Sequence, residues 1–482
     1  MAGQAEEPKA DQPKTEEPKT DEPKAVEPAP IAGPRELLRL FGIDREQFAT
    51  LIDGRPIHSD ENELLLKVLF NLPSFPLIDV ERWGRREFNP VDLANDPNAN
   101  RGEFFRLEGR VAAVETLKLE PELAERFEMK EYFRCEFILE KTQASVVVFA
   151  REIPKAWQAG AEVDQRASAW GMFLKLGSKG AEGREPIFAA LNIGWHPATP
   201  LGELGMDVGL LDDLTDRRHI SAAEREAFYQ MLAAAGRAKP GQLHREARTV
   251  LREAGKGYVR KDGDGFSVVP LFNRAAEQRG RLFELSGTAR RVVRVRVGDP
   301  DIVARFGIDH YYEMAIYTDD SQDNPIVFCV RQLPKGMPIG DSAQFGEYVR
   351  VAGFFFKTWG YGAQRPEEMP EAQREHTIAR QLAPLLIGRE PVWYPTEKPA
   401  ENTVANAIAG VLFVLVLLGI WLALWLYSRG DKRFRQMTIA KTLSPDSAEP
   451  VSLDDLGLQA DGTPDFSRLG QPPEEDEGEE DS

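Results

Sequence analysis

Two rhythms of apolar residues run along the chain, and each returns a second time. Stretches with an apolar residue at every second position, the period of a half-buried strand, fall at 104–117, 131–139, 145–151, 167–176 and 186–193. They fall again at 282–297, 311–317, 325–330, 348–357 and 382–387. Ahead of each set the spacing changes to three and four residues, the period of an amphipathic helix. Leu65, Val68 and Leu69 share one helical face in the first stretch. Phe228, Met231, Leu232 and Ala235 share one in the second, and a further face follows at Leu243, Ala247, Val250, Leu251 and Ala254. Ser221 with Glu224 has the form of a capping box, so a helix is expected to start at Ser221 and end near Gly236.

The two sets are copies of one another. Leu107 and Gly109 match Leu285 and Gly287; Arg126 and Phe127 match Arg305 and Phe306; Tyr132 falls on Tyr311. Val148 and Phe149 match Val327 and Phe328, and Pro154 and Lys155 match Pro334 and Lys335. Gly171, Phe173 and Lys175 match Gly353, Phe355 and Lys357, then Gly194 and Pro197 match Gly388 and Pro391. Order is kept while the offset grows from 178 to 194, as loop insertions produce. Upstream, Asp53 and Ser59 echo Asp216 and Ser221. The predicted class is α+β, with a disordered Pro/Glu/Lys-rich linker over 1–33 and repeat units over 34–200 and 201–397. A transmembrane helix over 402–428 and a disordered acidic tail over 429–482 complete it.

Each unit reads as a short helical lead-in and five strands. A glycine inside the first strand (Gly109, Gly287) lets that strand bend and serve both sides of a small Greek-key barrel. This layout resembles the OB-fold in strand order and pattern. The resemblance implies binding of oligonucleotides or oligosaccharides on the second and third strands and their loops. Candidates there are Tyr311, Tyr312, Tyr317 and Arg331 in the second copy and Tyr132, Phe133 and Arg134 in the first. Alternation sends Tyr311 and Tyr312 to opposite faces. Residues 358–362 read as a Gly-rich loop presenting Trp359 and Tyr361, and the counterpart at 177–180 lacks aromatics.

No charge interrupts 402–427, long enough for the roughly 20 apolar residues of a membrane-spanning helix. Trp421, Trp425 and Tyr427 then suit the interface, and Arg429, Lys432, Arg433 and Arg435 mark the following side as cytoplasmic. The expectation is a single-pass protein, the bilayer its partner through 402–428, with an extracytoplasmic body. Such a body needs a signal peptide, and no basic–apolar segment begins at Met1. Either the true start lies upstream, or the body is cytoplasmic on a C-terminal anchor.

Charge sharpens the choice of partner. The formal charge is −18; the first 28 residues hold eight acids against four lysines, and 429–482 hold fourteen acids against six bases. About −6 remains for the folding part, which disfavours nucleic acid. The alternating Arg290, Arg291, Arg294 and Arg296 read as a solvated strand face. Cys135 and Cys329 stand at non-equivalent positions in apolar runs and read as buried thiols. Six scattered histidines offer no metal-ligand spacing, so no metal or cofactor is expected. The turn at Asp262 and Asp264 lacks the closing ligands of a calcium loop. No nucleophile elbow, Walker loop or dinucleotide fingerprint occurs. The expected function is therefore a non-enzymatic, membrane-anchored binding or scaffold protein for an unknown protein or cell-envelope polymer. Its alternatives are a cytoplasmic-facing, possibly nucleic-acid-binding module on a membrane anchor, and an enzyme with an unfamiliar site.

Overall fold

The computed structural model describes residues 31–87, 89–158, 163–179, 183–260, 265–362, 380–395, 408 and 410–426. The chain divides into two compact units, Met1–Thr396 and Glu397–Ser482. Within the first unit each copy is built on a six-stranded mixed sheet with helices packed on it.

The first copy contributes β1 (Phe104–Lys118), β2 (Glu131–Leu139), β3 (Ser145–Glu152), β4 (Gln165–Lys179), β5 (Gly183–Asn192) and β6 (Gly194–Trp195). The second contributes β7 (Leu282–Arg296), β8 (His310–Tyr317), β9 (Ile326–Val330), β10 (Glu347–Gly362), β11 (Arg380–Gly388) and β12 (Val392–Tyr394). Strand order is β1-β2-β3-β5-β4-β6 in the first sheet and β11-β9-β8-β7-β10-β12 in the second. Extra β1–β4 and β11–β10 pairings close each sheet on itself, and β3–β5 and β9–β11 are parallel. The expected five strands per copy are thus six. β6 resumes the ladder of β5 farther along β4, and β12 resumes that of β11 along β10. The breaks fall at Ile193 and at 389–391, where Pro391 has no amide to give.

β1 pairs with β4 through Phe104–Val111 and with β2 from Gly109 onward, shifting register between Val111 and Ala113. β7 does the same between β10 and β8, shifting between Ala289 and Arg291. A Cβ on Gly109 would collide with the Ile138 carbonyl and one on Gly287 with that of Tyr317, so the bend requires glycine at both positions.

Strands buried on both faces explain the apolar runs. In the first copy, Phe105, Leu107, Phe137, Val146, Val148 and Phe188 fill one core. Val147, Phe149, Met172 and Ile187 face a second core with Leu65, Leu66, Val68 and Leu69 of helix Asn62–Asn71. The second copy has one continuous core, in which Phe228, Met231 and Leu232 of helix Arg225–Arg237 meet Phe354 and Phe356 of β10. That helix begins at Arg225, four residues after the expected Ser221, and the Glu224 carboxylate accepts from the Thr215 and Ser221 amides ahead of it.

The same polar clasp ties lead-in to barrel in both copies. Lys175 Nζ, fully buried on β4, donates to Glu61 at 2.7 and 2.8 Å, and Lys357 Nζ on β10 donates to Glu224 at 2.7 and 2.9 Å. Glu61 also accepts from the amides of Ile52 and His58, as Glu224 does from those of Thr215 and Ser221. His58, not Ser59, is therefore the counterpart of Ser221. Asp53 accepts from the Leu176 amide and Arg101, and Asp216 from the Thr358 amide and Arg279. Burial pushes the Glu61 and Glu224 carboxyls up, but lysine and amide donors outweigh it and hold both below the ordinary glutamate value.

In the second unit the membrane expectation is corrected. Among the described residues no helix is long and apolar enough to cross a membrane. The described helix at 410–426 falls short of the roughly 20 residues that a hydrocarbon core requires. The single-pass assignment over 402–428 falls with it, as do the cytoplasmic tail, the extracytoplasmic body and the membrane-anchored functions. Trp421 and Trp425 are exposed on that helix, whereas Tyr427, Arg429, Lys432, Arg433 and Arg435 lie outside the described residues. The 1–30 part of the linker, the acidic tail and the Asp262–Asp264 turn also lie outside them.

Candidate functional site

Trp359 and Tyr361 do not stand on a loop. Strand β10 runs through both, pairing them with Ala383 and Gln381 of β11. Gly360 and Gly362 look like turn residues in sequence, but Gly360 is needed because a Cβ there would meet the Arg217 carbonyl oxygen at 2.8 Å. Residues two apart on a strand share a face, and the two rings lie 5.4 Å apart at 31°. Both are half-buried, resting on the core by one side. Burial, with the Tyr317 phenol nearby, raises the Tyr361 phenol above its ordinary value. Tyr317 closes the cluster from the end of β8, and the Arg290 guanidinium lies 4.4 Å from its ring centroid.

A loop from the lead-in borders these rings. The Arg217 amide donates to the Thr358 carbonyl at 2.7 Å, and the Gly360 amide donates to the Arg218 carbonyl at 3.2 Å. Arg218 bridges directly to Trp359. Arg217 and Arg218 are exposed and, among the described residues, no carboxylate lies within 4 Å of either guanidinium. Among the described residues Arg290 has only a distant, solvent-exposed neighbour, Asp323 at 3.9 Å. Sequence reasoning missed Arg217 and Arg218 because they lie far from Trp359 along the chain. The available signal was their position in the lead-in loop that the duplication repeats.

The other expected residues gather at the opposite end of β8, about 20 Å away at 3.4 Å per residue. Tyr311 packs on Phe228, with ring centroids 5.5 Å apart. Tyr312 stands across from Arg294 and beside His310. Arg331 donates to the carbonyls of His310 and Gly307, closing the end of helix Pro300–Phe306. In the first copy Tyr132 and Phe133 are buried, and Arg134 pairs with Glu136. Both cysteines are free and buried; burial pushes the Cys135 thiol up to about 12.

Two further arrangements carry chemical side chains. Ser168 Oγ lies 2.8 Å from His196 Nε2, while His196 Nδ1 lies 2.8 Å from the Met206 carbonyl. A carbonyl only accepts, so Nδ1 holds the proton and Nε2 accepts from the serine. Ser168 is buried mid-strand between β1 and β6, so this chain of bonds fastens the segment after β6 to the sheet. Asp207 adds to the fastening by accepting from the Trp195 and Gly209 amides at 2.8 and 2.9 Å. Burial pushes its carboxyl up to about 6 against those donors. Beside it lies a cavity of about 310 Å³ reached by Glu152, Lys155 and Asp213. A wider groove of about 710 Å³ runs along Arg86, Arg106, Glu108 and Lys141. Among the described residues no three His, Cys, Asp or Glu side chains could hold a metal ion together.

No protein-family model matches the chain, and no curated protein matches it.

Proposed function

We propose that the chain is a non-enzymatic binding protein whose second copy engages a partner protein through the face formed by Trp359, Tyr361, Tyr317 and Arg290. One observation carries this reading: the Trp359 and Tyr361 rings rest on the core by one side only, with the other side left to solvent. Trp, Tyr and Arg are the residues that supply most of the energy at protein interfaces. The first copy has Gly177 and Lys179 in place of the two β10 aromatics, so the copies divide their labour: the first is scaffold, the second recognises.

A photo-crosslinking residue placed at Tyr361 in the full chain tests this against the same residue placed at Gly177. The expected result is one discrete protein adduct at Tyr361 and none at Gly177. Equal adducts at both positions, or none at Tyr361, refute the assignment of the face.

A further inference from the structure

We infer that the partner presents an extended acidic segment to this face, its carboxylates meeting Arg217, Arg218 and Arg290 while its apolar side chains cover Trp359 and Tyr361. The inference rests on the protein-binding reading and adds the chemistry of the partner.

In a chain of net charge −18 most guanidiniums find a carboxylate, as Arg101 does with Asp53, Arg225 with Asp299 and Arg279 with Asp216. Among the described residues the two arginines beside Trp359 do not, and the third has only Asp323 at 3.9 Å. Three exposed cations around half-buried rings make a surface complementary to carboxylates, since guanidinium both pairs with them and stacks on aromatic faces.

Backbone strain, which is independent of charge, points the same way. Arg217 has φ of 62°, in the left-handed region that side chains disfavour. The first copy makes the same bond, Gly54 amide to Leu176 carbonyl, with a glycine at φ of 82°. The fold accepts glycine at this position without strain, yet the second copy places an arginine there. A strained conformation kept where a relaxed residue fits points to work done by the side chain.

The test uses the full chain and a fluorescein-labelled peptide of repeated Asp-Glu-Tyr triplets, with an Asn-Gln-Tyr peptide and oligo-dT as comparisons. By anisotropy the acidic peptide should bind at least about tenfold more tightly than the amide peptide, and weaken as salt rises. Arg218→Glu and Arg290→Glu, both on exposed positions, should each raise its Kd about tenfold. Arg217→Gly separates charge from strain: it should weaken binding while raising Tm by about 2–4 °C, as relief of backbone strain does in a domain of this size. Equal binding of the two peptides, or indifference to all three substitutions, overturns the inference. Tighter Arg-dependent binding of oligo-dT also overturns it, in favour of nucleic acid. A discrete crosslink at Tyr361 alongside either result leaves the protein-binding reading standing; no crosslink removes both.

Discussion

Lys175 and Lys357 place an ammonium group inside a barrel wall, and what keeps the charge tolerable is a carboxylate that accepts four hydrogen bonds, two from the lysine and two from backbone amides. Removing one partner of such a pair strands the other. Lys357→Met is therefore expected to cost about 3–5 kcal/mol, read from urea unfolding. Replacing Glu224 by Leu as well should not restore stability, because the Thr215 and Ser221 amides then lose their acceptor. Both glutamates sit below their unfolded value near 4.3. The stability they contribute is whole above that value and is lost as pH falls through the lower folded one. Unfolding followed from pH 6 to pH 2 should show this loss, and Glu61→Gln should flatten part of it. The pair was half legible in sequence. A lysine at matching places in two apolar strands was visible, but its partner lies more than a hundred residues away, where spacing says nothing.

Between elements, the joint after β6 shows how a single carboxyl can oppose that trend. Asp207 is pushed up to about 6 in the fold and lies near 3.9 when unfolded. Its contribution is full below about pH 4 and declines as pH rises through about 6. Asp207→Asn keeps the oxygen that accepts from Trp195 and Gly209, so it should equal the parent at pH 4 and exceed it by about 2 kcal/mol at pH 8, measured by urea midpoints at the two pH values. Sequence patterning placed the longer strands because alternation over eight or more residues is hard to imitate. It could not see β6 or β12, since two or three residues have no period. It ended β10 too early because glycines at 360 and 362 mimic a turn.

Across the whole molecule, the two copies keep separate apolar cores and meet through polar groups. Arg305, almost fully buried, pairs with Asp301 and Glu226 in its own copy and reaches Glu81 of the other at 3.7 Å. Lys155 of the first copy reaches Asp213 at 3.5 Å and donates to the Asp212 carbonyl. Interfaces of that kind couple domains weakly. Calorimetry should find a total unfolding enthalpy clearly larger than the van't Hoff value, the mark of more than one cooperative step. Arg305→Gln should separate the steps further. Coincidence of the two enthalpies would show the copies to unfold as one.

Closure of the two sheets also says when this chain is in danger. Val146–Ala150 and Ile326–Val330 are short, uncharged and β-branched, the composition that stacks into fibrils when exposed. In the finished barrel each is paired on both sides and sealed by a parallel neighbour. That neighbour arrives late: Val327 waits for Leu385, 58 residues downstream, and contacts so distant in sequence form slowly. The hazard therefore belongs to synthesis and refolding, while the chain waits for its fifth strand, and the mature protein carries almost none of it.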